Sequence, residues 1–189
     1  MTFLKSIAAA ALLLFAGLVA QASANPNQIT IQLKDGPVVI QLMPDVAPQH
    51  VKRIKELAAK HEYDNVAFHR VIEGFMAQTG DVKFGNLKKG YDPNAVGTGN
   101  SDLPDLPAEF SQVPFERGTV GMARSQDPNS ANSQFFIMFA PGDFLNGQYT
   151  VVGKVVSGME FVDKIKRGDQ NNNGSVTDPD RMIKVTVGK

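Results

Sequence analysis

The chain has 189 residues, of which 42% are hydrophobic and 20% are charged, and this length fits one domain with a sizeable core. Nineteen Lys and Arg residues balance nineteen Asp and Glu residues, so no bulk charge attracts nucleic acid or anionic lipid. Cysteine is absent, which excludes disulfide bonds, thiolate nucleophiles and cysteine-ligated metals.

The first 24 residues have the pattern of a cleavable secretory signal. Lys5 precedes an apolar run over residues 7–20, and residues 22–24 (ASA) form a small-x-small cleavage pattern. The run of about 14 residues is shorter than the roughly 20 that span a bilayer, which disfavours the alternative of an uncleaved membrane anchor. We therefore predict a signal peptide over residues 1–24, export to a bacterial periplasm, and a mature domain over residues 25–189 that is not membrane-bound.

The mature region begins with a predicted β-hairpin and a predicted helix. Residues 27–43 alternate apolar and polar side chains on both sides of Asp35-Gly36, a preferred turn dipeptide. Pro48 then suits the first turn of a helix over residues 47–60. Its apolar residues recur at spacings of three and four, which predicts one buried face: Val51, Ile54, Leu57 and Ala58.

The rest of the chain is dominated by short strand patterns. These patterns cover residues 66–72, 75–79, 119–123, 133–139 and 150–156, with a last strand in "RMIKVTV". A second helix is predicted over residues 158–168, ending at Gly168. Many short strands, turns rich in Gly and Pro, and two separated helices favour a mainly β fold, a closed barrel capped at its ends.

Three apolar blocks contain polar residues that no periodicity requires. They are "FHRVIEGFMAQTGD", "GTVGMARSQDPNSANSQFFIMF" and "DFLNGQYTVVGKV", and they supply Arg70, Gln78 and Gln134 among Phe, Met and Leu side chains. No serine-histidine-acid set, paired carboxylates or metal-ligand spacing accompanies them. A cation beside an apolar slot suits rotation about an X-Pro bond, because this reaction breaks no covalent bond and requires no nucleophile or cofactor. A fixed guanidinium would stabilise the twisted amide more than the planar one.

Other interpretations of these residues remain open at this point. Arg70 could form a structural ion pair with Glu73 or Asp81, and the pocket could bind proline-containing segments without catalysis. The three histidines lack metal-ligand spacing, and we predict no metal site. Residues 169–180 partly match a calcium loop, but no second helix pattern follows, so an Asn/Gly turn is favoured.

In this order, the three blocks resemble those of the cyclophilin family of peptidyl-prolyl cis-trans isomerases, and the resemblance runs from about Ile29 to Val187. It implies a closed eight-stranded antiparallel β-barrel capped by two α-helices. It also implies a cofactor-independent isomerase, expected to be a monomer. Its expected partners are the proline-containing segments of unfolded or partly folded polypeptides, so it would assist the folding of exported proteins.

The resemblance also implies the residues of the site. Arg70 and Gln78 would be catalytic, with Gln78 holding the arginine. The remaining residues would bind substrate as the pocket, its rim and the adjoining peptide groove: Phe75, Met76, Ala123, Arg124, Gln134, Phe136, Phe144, Leu145 and Tyr149. Residues 97–99 (GTG) resemble the family's glycine-rich wall beside that groove.

Overall fold

The computed structural model describes residues 25–188, so the predicted signal peptide lies outside the described residues. This range forms ten strands and two α-helices in the order β1 Gln28–Gln32, β2 Pro37–Leu42, α1 Pro48–Ala59, β3 Val66–Ala67, β4 Arg70–Ile72, β5 Met76–Thr79, β6 Thr119–Met122, β7 Phe135–Met138, β8 Val151–Ser157, α2 Met159–Val162, β9 Arg181–Met182 and β10 Lys184–Val187. Within the same range, no helix is long and apolar enough to cross a membrane.

The predicted hairpin and the first helix are confirmed. β1 and β2 pair antiparallel from Gln28 opposite Gln41 to Gln32 opposite Pro37, and their alternate apolar side chains are buried. α1 begins at Pro48, whose missing N–H costs nothing in the first turn. The four residues of its predicted face are all buried. Local periodicity was therefore sufficient to define both elements.

The second helix is shorter than predicted. α2 ends at Val162, and the prediction that it continues to Gly168 is wrong. The N–H of Gly168 donates to the C=O of Val71 (2.9 Å), so this segment pairs with β4 instead of completing another helical turn. Ile165 is nevertheless buried in the main core.

Eight of the strands form one antiparallel sheet in the order β10-β1-β2-β8-β6-β7-β5-β4. The prediction of a closed barrel is wrong, because β4 and β10 are the two edges of the sheet and no ladder joins them. β3 and β9 form a separate pair, and short bends connect these two strands to β4 and β10. Next to these connections, the N–H of Phe68 donates to the C=O of Asp180 and extends the β3–β9 pair, whereas the N–H of Ile183 donates to the C=O of Gln32 and extends the β1–β10 pair.

Alternation along β4, β5 and β7 separates two apolar layers. Val71, Ala77 and Phe135 belong to the main core, together with the buried faces of the hairpin and of α1. Met76 and Phe136 face the other way and pack in a smaller cluster with Phe115, Met138, Leu145 and Val151. Because successive strand residues point to opposite faces, one sheet supplies both the core and the floor of a surface pocket.

A buried tyrosine gives a test of the core. Tyr63 is fully buried, and its hydroxyl donates to the C=O of Ser133 (2.7 Å), which tethers the end of the α1 segment to the residue that leads into β7. Tyr63→Phe should lower the free energy of unfolding by about 1–3 kcal/mol, because the carbonyl is left buried without its donor. Urea denaturation measures this change.

Tyr91→Phe is the matched control for this substitution. The hydroxyl of Tyr91 makes no hydrogen bond to any other residue of the range 25–188, so its removal should change stability little. Equal stability of the two variants would show that the buried hydrogen bond contributes nothing.

Candidate active site

Arg70 lies at the start of edge strand β4, directly opposite Gln78 of β5. Its Nη1 donates to Oε1 of Gln78 (3.2 Å). Its Nε donates to the backbone C=O of Asn173 (3.0 Å), and its Nη2 donates to the side-chain Oδ1 of the same residue (3.0 Å). Neutral oxygens of Gln78 and Asn173 therefore hold the guanidinium from two sides and fix its orientation.

The sequence did not predict Asn173, which holds Arg70, as part of this site. Asn173 has a left-handed backbone conformation (φ 51°, ψ 31°), which asparagine tolerates better than most residues. The turn that contains it is closed by hydrogen bonds between Asp169 and the backbone of Gly174 and Ser175. The Asn-Gly pair was recognised as a turn, but only the tertiary fold brings that turn against Arg70.

The same turn belongs to residues 169–180, which partly match a calcium loop in sequence. Asp180, which would supply the twelfth position, instead forms an ion pair with Lys34 (2.8 Å) and accepts the N–H of Lys166. In the part of the chain that the structure describes, no group of three or more His, Cys, Asp or Glu side chains could hold a metal ion. Asn173 of this turn holds the guanidinium of Arg70.

The structural alternative for Arg70 is not supported. Glu73 forms its ion pair with Arg167 (2.6 Å), and Asp81 accepts backbone N–H groups. Among residues 25–188, no carboxylate forms a salt bridge with Arg70. Burial lowers the pKa of Arg70 from its ordinary value, and the nearby Tyr149 opposes this effect. An arginine pKa lies so far above neutrality that the group keeps its charge.

A chain of side-chain amides continues from Arg70 into the groove. Gln78 donates from Nε2 to Oε1 of Gln134 (3.0 Å). Gln134 in turn donates from its Nε2 to the backbone C=O groups of Gly97 (3.0 Å) and Gly99 (2.8 Å). Each amide therefore has one orientation that satisfies all of its partners, and the oxygen of Gln78 is directed at Arg70.

Beside Arg70 and Gln78 lies a pocket of about 420 Å³ with an apolar wall. Met76, Phe136 and Leu145 are buried in this wall, whereas Phe144 stands on the rim with 65% of its surface exposed. The rings of Phe75 and Phe144 are in contact, with centroids 5.4 Å apart. The volume and apolar wall of this pocket suit a small apolar ring.

Arg124 and Tyr149 form the far side of the pocket. The guanidinium of Arg124 stacks over the Tyr149 ring (4.3 Å to the centroid), and its Nη2 donates to the C=O of Gln148 (2.9 Å). The N–H of Ala123 donates to the C=O of Gln134 (2.9 Å), so that N–H is not free to pair with a bound peptide. A main-chain contact at this position would have to use the C=O of Ala123.

The predicted site residues are brought together by the fold. Ten of the eleven line the pocket, and Gln134 lines the adjoining groove with Gln78, Gly97, Thr98, Ala123 and Arg124. Gln148 also lines the pocket and was not predicted. It is exposed and polar, and its neighbours in sequence gave no periodic signal to distinguish it.

Comparison with known proteins identifies the family. The family model "Cyclophilin type peptidyl-prolyl cis-trans isomerase/CLD" matches residues 28–187. The chain belongs to the cyclophilin family. It is a peptidyl-prolyl cis-trans isomerase, and the fold agrees with this assignment.

Individual cyclophilins agree with the family match. A probable peptidyl-prolyl cis-trans isomerase from Brucella suis is 63% identical over 191 residues, which cover 99% of this chain and 97% of that protein. Peptidyl-prolyl cis-trans isomerase B of Escherichia coli is 38% identical over 146 residues. These residues cover 73% of this chain and 83% of the Escherichia coli protein. A solved cyclophilin-type isomerase of Cryptosporidium parvum is 25% identical with a TM-score of 0.72, across 86% of this chain and 99% of that one.

His69, which precedes the arginine, gives a pH-dependent test of the site. Burial lowers the pKa of His69 to about 4, although the charge of Asp81 acts in the opposite direction. The unfolded chain binds this proton with the ordinary pKa near 6.5, so folding favours the neutral ring. The free energy of unfolding should therefore fall as the pH drops from about 6.5 towards 4, by about 2 kcal/mol at pH 5.

Urea unfolding at pH 8 and at pH 5, with the His69→Gln variant alongside, isolates this contribution. Burial also lowers the pKa of His50, but that histidine titrates in both proteins and cancels in the comparison. The loss of stability between the two pH values should be about 2 kcal/mol smaller in the variant. An identical loss in both proteins would mean that His69 does not resist protonation.

Proposed function

We propose that Arg70 lowers the barrier to rotation of an X-Pro bond whose proline ring occupies the apolar pocket. The observation that carries this proposal is a half-buried guanidinium at the pocket wall, positioned by uncharged partners: the oxygens of Gln78 and Asn173 and the sulfur of Met76. Of the five N–H donors of an arginine, those directed at Gln78 and Asn173 leave at least one on Nη2 for a substrate. Among the described residues 25–188, no carboxylate neutralises the charge.

The chemistry follows from amide resonance. Rotation must overcome a barrier of ~18–20 kcal/mol, because the twisted bond loses its partial double-bond character. In that twisted state the imide nitrogen regains a lone pair, which can accept a hydrogen bond from Arg70. The planar ground state offers no such acceptor, so the interaction lowers the barrier and not only the dissociation constant. No covalent bond forms, and no cofactor or nucleotide is needed.

The other residues would divide into positioning and binding roles. Gln78 would hold Arg70 and contact the substrate backbone. Phe75, Met76, Phe136 and Leu145 would bind the proline ring, with Phe144 and Tyr149 at the edges. Ala123, Arg124 and Gln134 would follow the peptide along the adjoining groove.

The substrates we propose are proline-containing segments of unfolded or partly folded polypeptides, acted on by a monomer. The pocket opens to solvent beside the exposed Phe144, so an extended chain can enter without any rearrangement of the sheet. The Cryptosporidium parvum relative was solved in the presence of the dipeptide Ala-Pro, which supports recognition of proline itself.

Replacement of the arginine tests the mechanism. Arg70→Ala should lower kcat/KM for a short X-Pro peptide by about 100-fold, comparable to loss of one preorganised donor to a developing charge. KM should change much less than kcat, since the donor acts on the twisted state. A protease-free NMR exchange assay measures both quantities on the intact peptide.

Two further variants sharpen this test. Arg70→Lys keeps the charge but not the planar fork that fits Gln78 and Asn173, and should recover little activity. Arg117→Ala removes an exposed arginine that pairs with Asp163 outside the site, and should leave turnover unchanged. Native turnover by Arg70→Ala would refute the role proposed for the guanidinium.

We also propose that the enzyme is exported and assists the folding of proteins in a bacterial periplasm. The support is the N-terminal sequence, in which Lys5, an apolar run and Ala22-Ser23-Ala24 form a signal of the cleavable type. The reaction suits that compartment, because isomerisation draws on no ATP.

Cleavage of the signal can be measured directly. When the full chain is expressed in a Gram-negative host, the periplasmic fraction should contain a protein that begins at Asn25. Ala24→Arg should block cleavage, since the signal peptidase accepts a small residue at this position, and the precursor should accumulate. Recovery of the native protein from the cytoplasm with Met1 intact would contradict export.

A further inference from the structure

Asp81, two residues after the end of β5 and three after the predicted catalytic Gln78, carries a fully buried carboxylate. Its Oδ1 accepts the backbone N–H groups of Lys83 (3.1 Å) and Phe84 (2.8 Å). Its Oδ2 accepts those of Gly97 (2.7 Å) and Gly99 (2.9 Å). Within residues 25–188 no Lys or Arg forms a salt bridge with it, so four backbone dipoles stabilise its charge.

These four hydrogen bonds join the two ends of a long loop. The first pair of donors begins the segment 82–99 and the second pair ends it, so Asp81 closes the loop at its base. The backbone must come very close to do so. A Cβ on Gly99 would clash with Oδ1 of Asp81, and Gly97 has φ +96° and lies close to the His69 ring. Gly97 and Gly99 therefore let the backbone come close enough to donate hydrogen bonds to the Asp81 carboxylate.

The base of the loop is also the anchor of the amide chain. The C=O groups of Gly97 and Gly99, whose N–H groups bind Asp81, accept both bonds from Nε2 of Gln134. Gln134 then fixes Gln78, and Gln78 fixes Nη1 of Arg70. An unbroken series of hydrogen bonds thus leads from the buried carboxylate to the guanidinium.

We propose that Asp81 is a positioning residue for isomerisation, which acts on Arg70 through the loop base, Gln134 and Gln78. By holding both glycine carbonyls towards Gln134, it makes only one orientation of each amide favourable. If the base relaxed, both amides could turn over, and Gln78 would then present its NH₂ group to the guanidinium. This inference rests on the role proposed for Arg70, whereas the assignment of the chain to the isomerase family does not rest on either residue.

Asp81→Asn tests the proposal, because it keeps the shape but directs an NH₂ group at two of the N–H donors. We expect kcat for an X-Pro peptide, per folded molecule, to fall about tenfold with little change in KM, since a displaced catalytic group costs turnover more than binding. Gly99→Ala should act in the same way, because its methyl group displaces the carboxylate and leaves its charge intact. It serves as the test if Asp81→Asn does not fold.

A double-mutant cycle separates positioning from general destabilisation. In a Gln134→Met background the amide chain is already broken, so Asp81→Asn or Gly99→Ala should lower kcat by less than twofold more. Any loss in the free energy of unfolding that Asp81→Asn or Gly99→Ala causes should be the same in the native and the Gln134→Met backgrounds. Asp92→Asn is the control from the same loop, since its carboxylate accepts a local N–H from Asn94 (2.9 Å) and should not affect kcat.

Several outcomes would overturn the proposal. An unchanged kcat in folded Asp81→Asn or Gly99→Ala would do so, and so would an equal loss in the native and Gln134→Met backgrounds. Native turnover by Arg70→Ala would instead refute the role of the arginine, so the failures of the two proposals are distinguishable.

Discussion

Antiparallel pairing of β5 with β4 and β7 places Arg70, Gln78 and Phe136 side by side on one face of the sheet. Their neighbours Val71, Ala77 and Phe135 face the main core. A slip of one residue would move every side chain to the opposite face and bury the guanidinium among apolar groups. The packing that stabilises the fold is therefore also what positions the pocket and its cation.

The way Arg70 is held suits a donor that must remain available. Its partners are the neutral oxygens of Gln78 and Asn173, which orient the guanidinium without neutralising it. The nearby carboxylates of Glu73 and Asp81 are engaged elsewhere, by Arg167 and by backbone N–H groups. In a half-buried site, a charge with no counter-ion interacts strongly with any acceptor that develops beside it.

Most of the candidate site could be predicted because its residues lie in three motifs with a recognisable order. The apolar lining and the polar residues Arg70, Gln78 and Gln134 all come from these blocks, and the fold brings them together. Asn173 could not be found in this way. It lies about 100 positions from the arginine in sequence, and its backbone conformation and the pairing of its turn along β4 bring it into contact.

The sequence by itself determined the hairpin, α1 and most strands, because periodic burial of apolar side chains is a local property of each segment. It also determined the residues of the pocket wall. Only the tertiary structure decided where α2 ends and how the sheet terminates. The N–H of Gly168 bonds to the C=O of Val71 instead of extending a helix, and β4 and β10 remain edges because the neighbouring strands β3 and β9 pair with each other in a separate two-stranded sheet. The end of α2 and the edges of the sheet depend on which distant backbone groups compete for the same hydrogen bonds. A local sequence pattern contains no information about this competition.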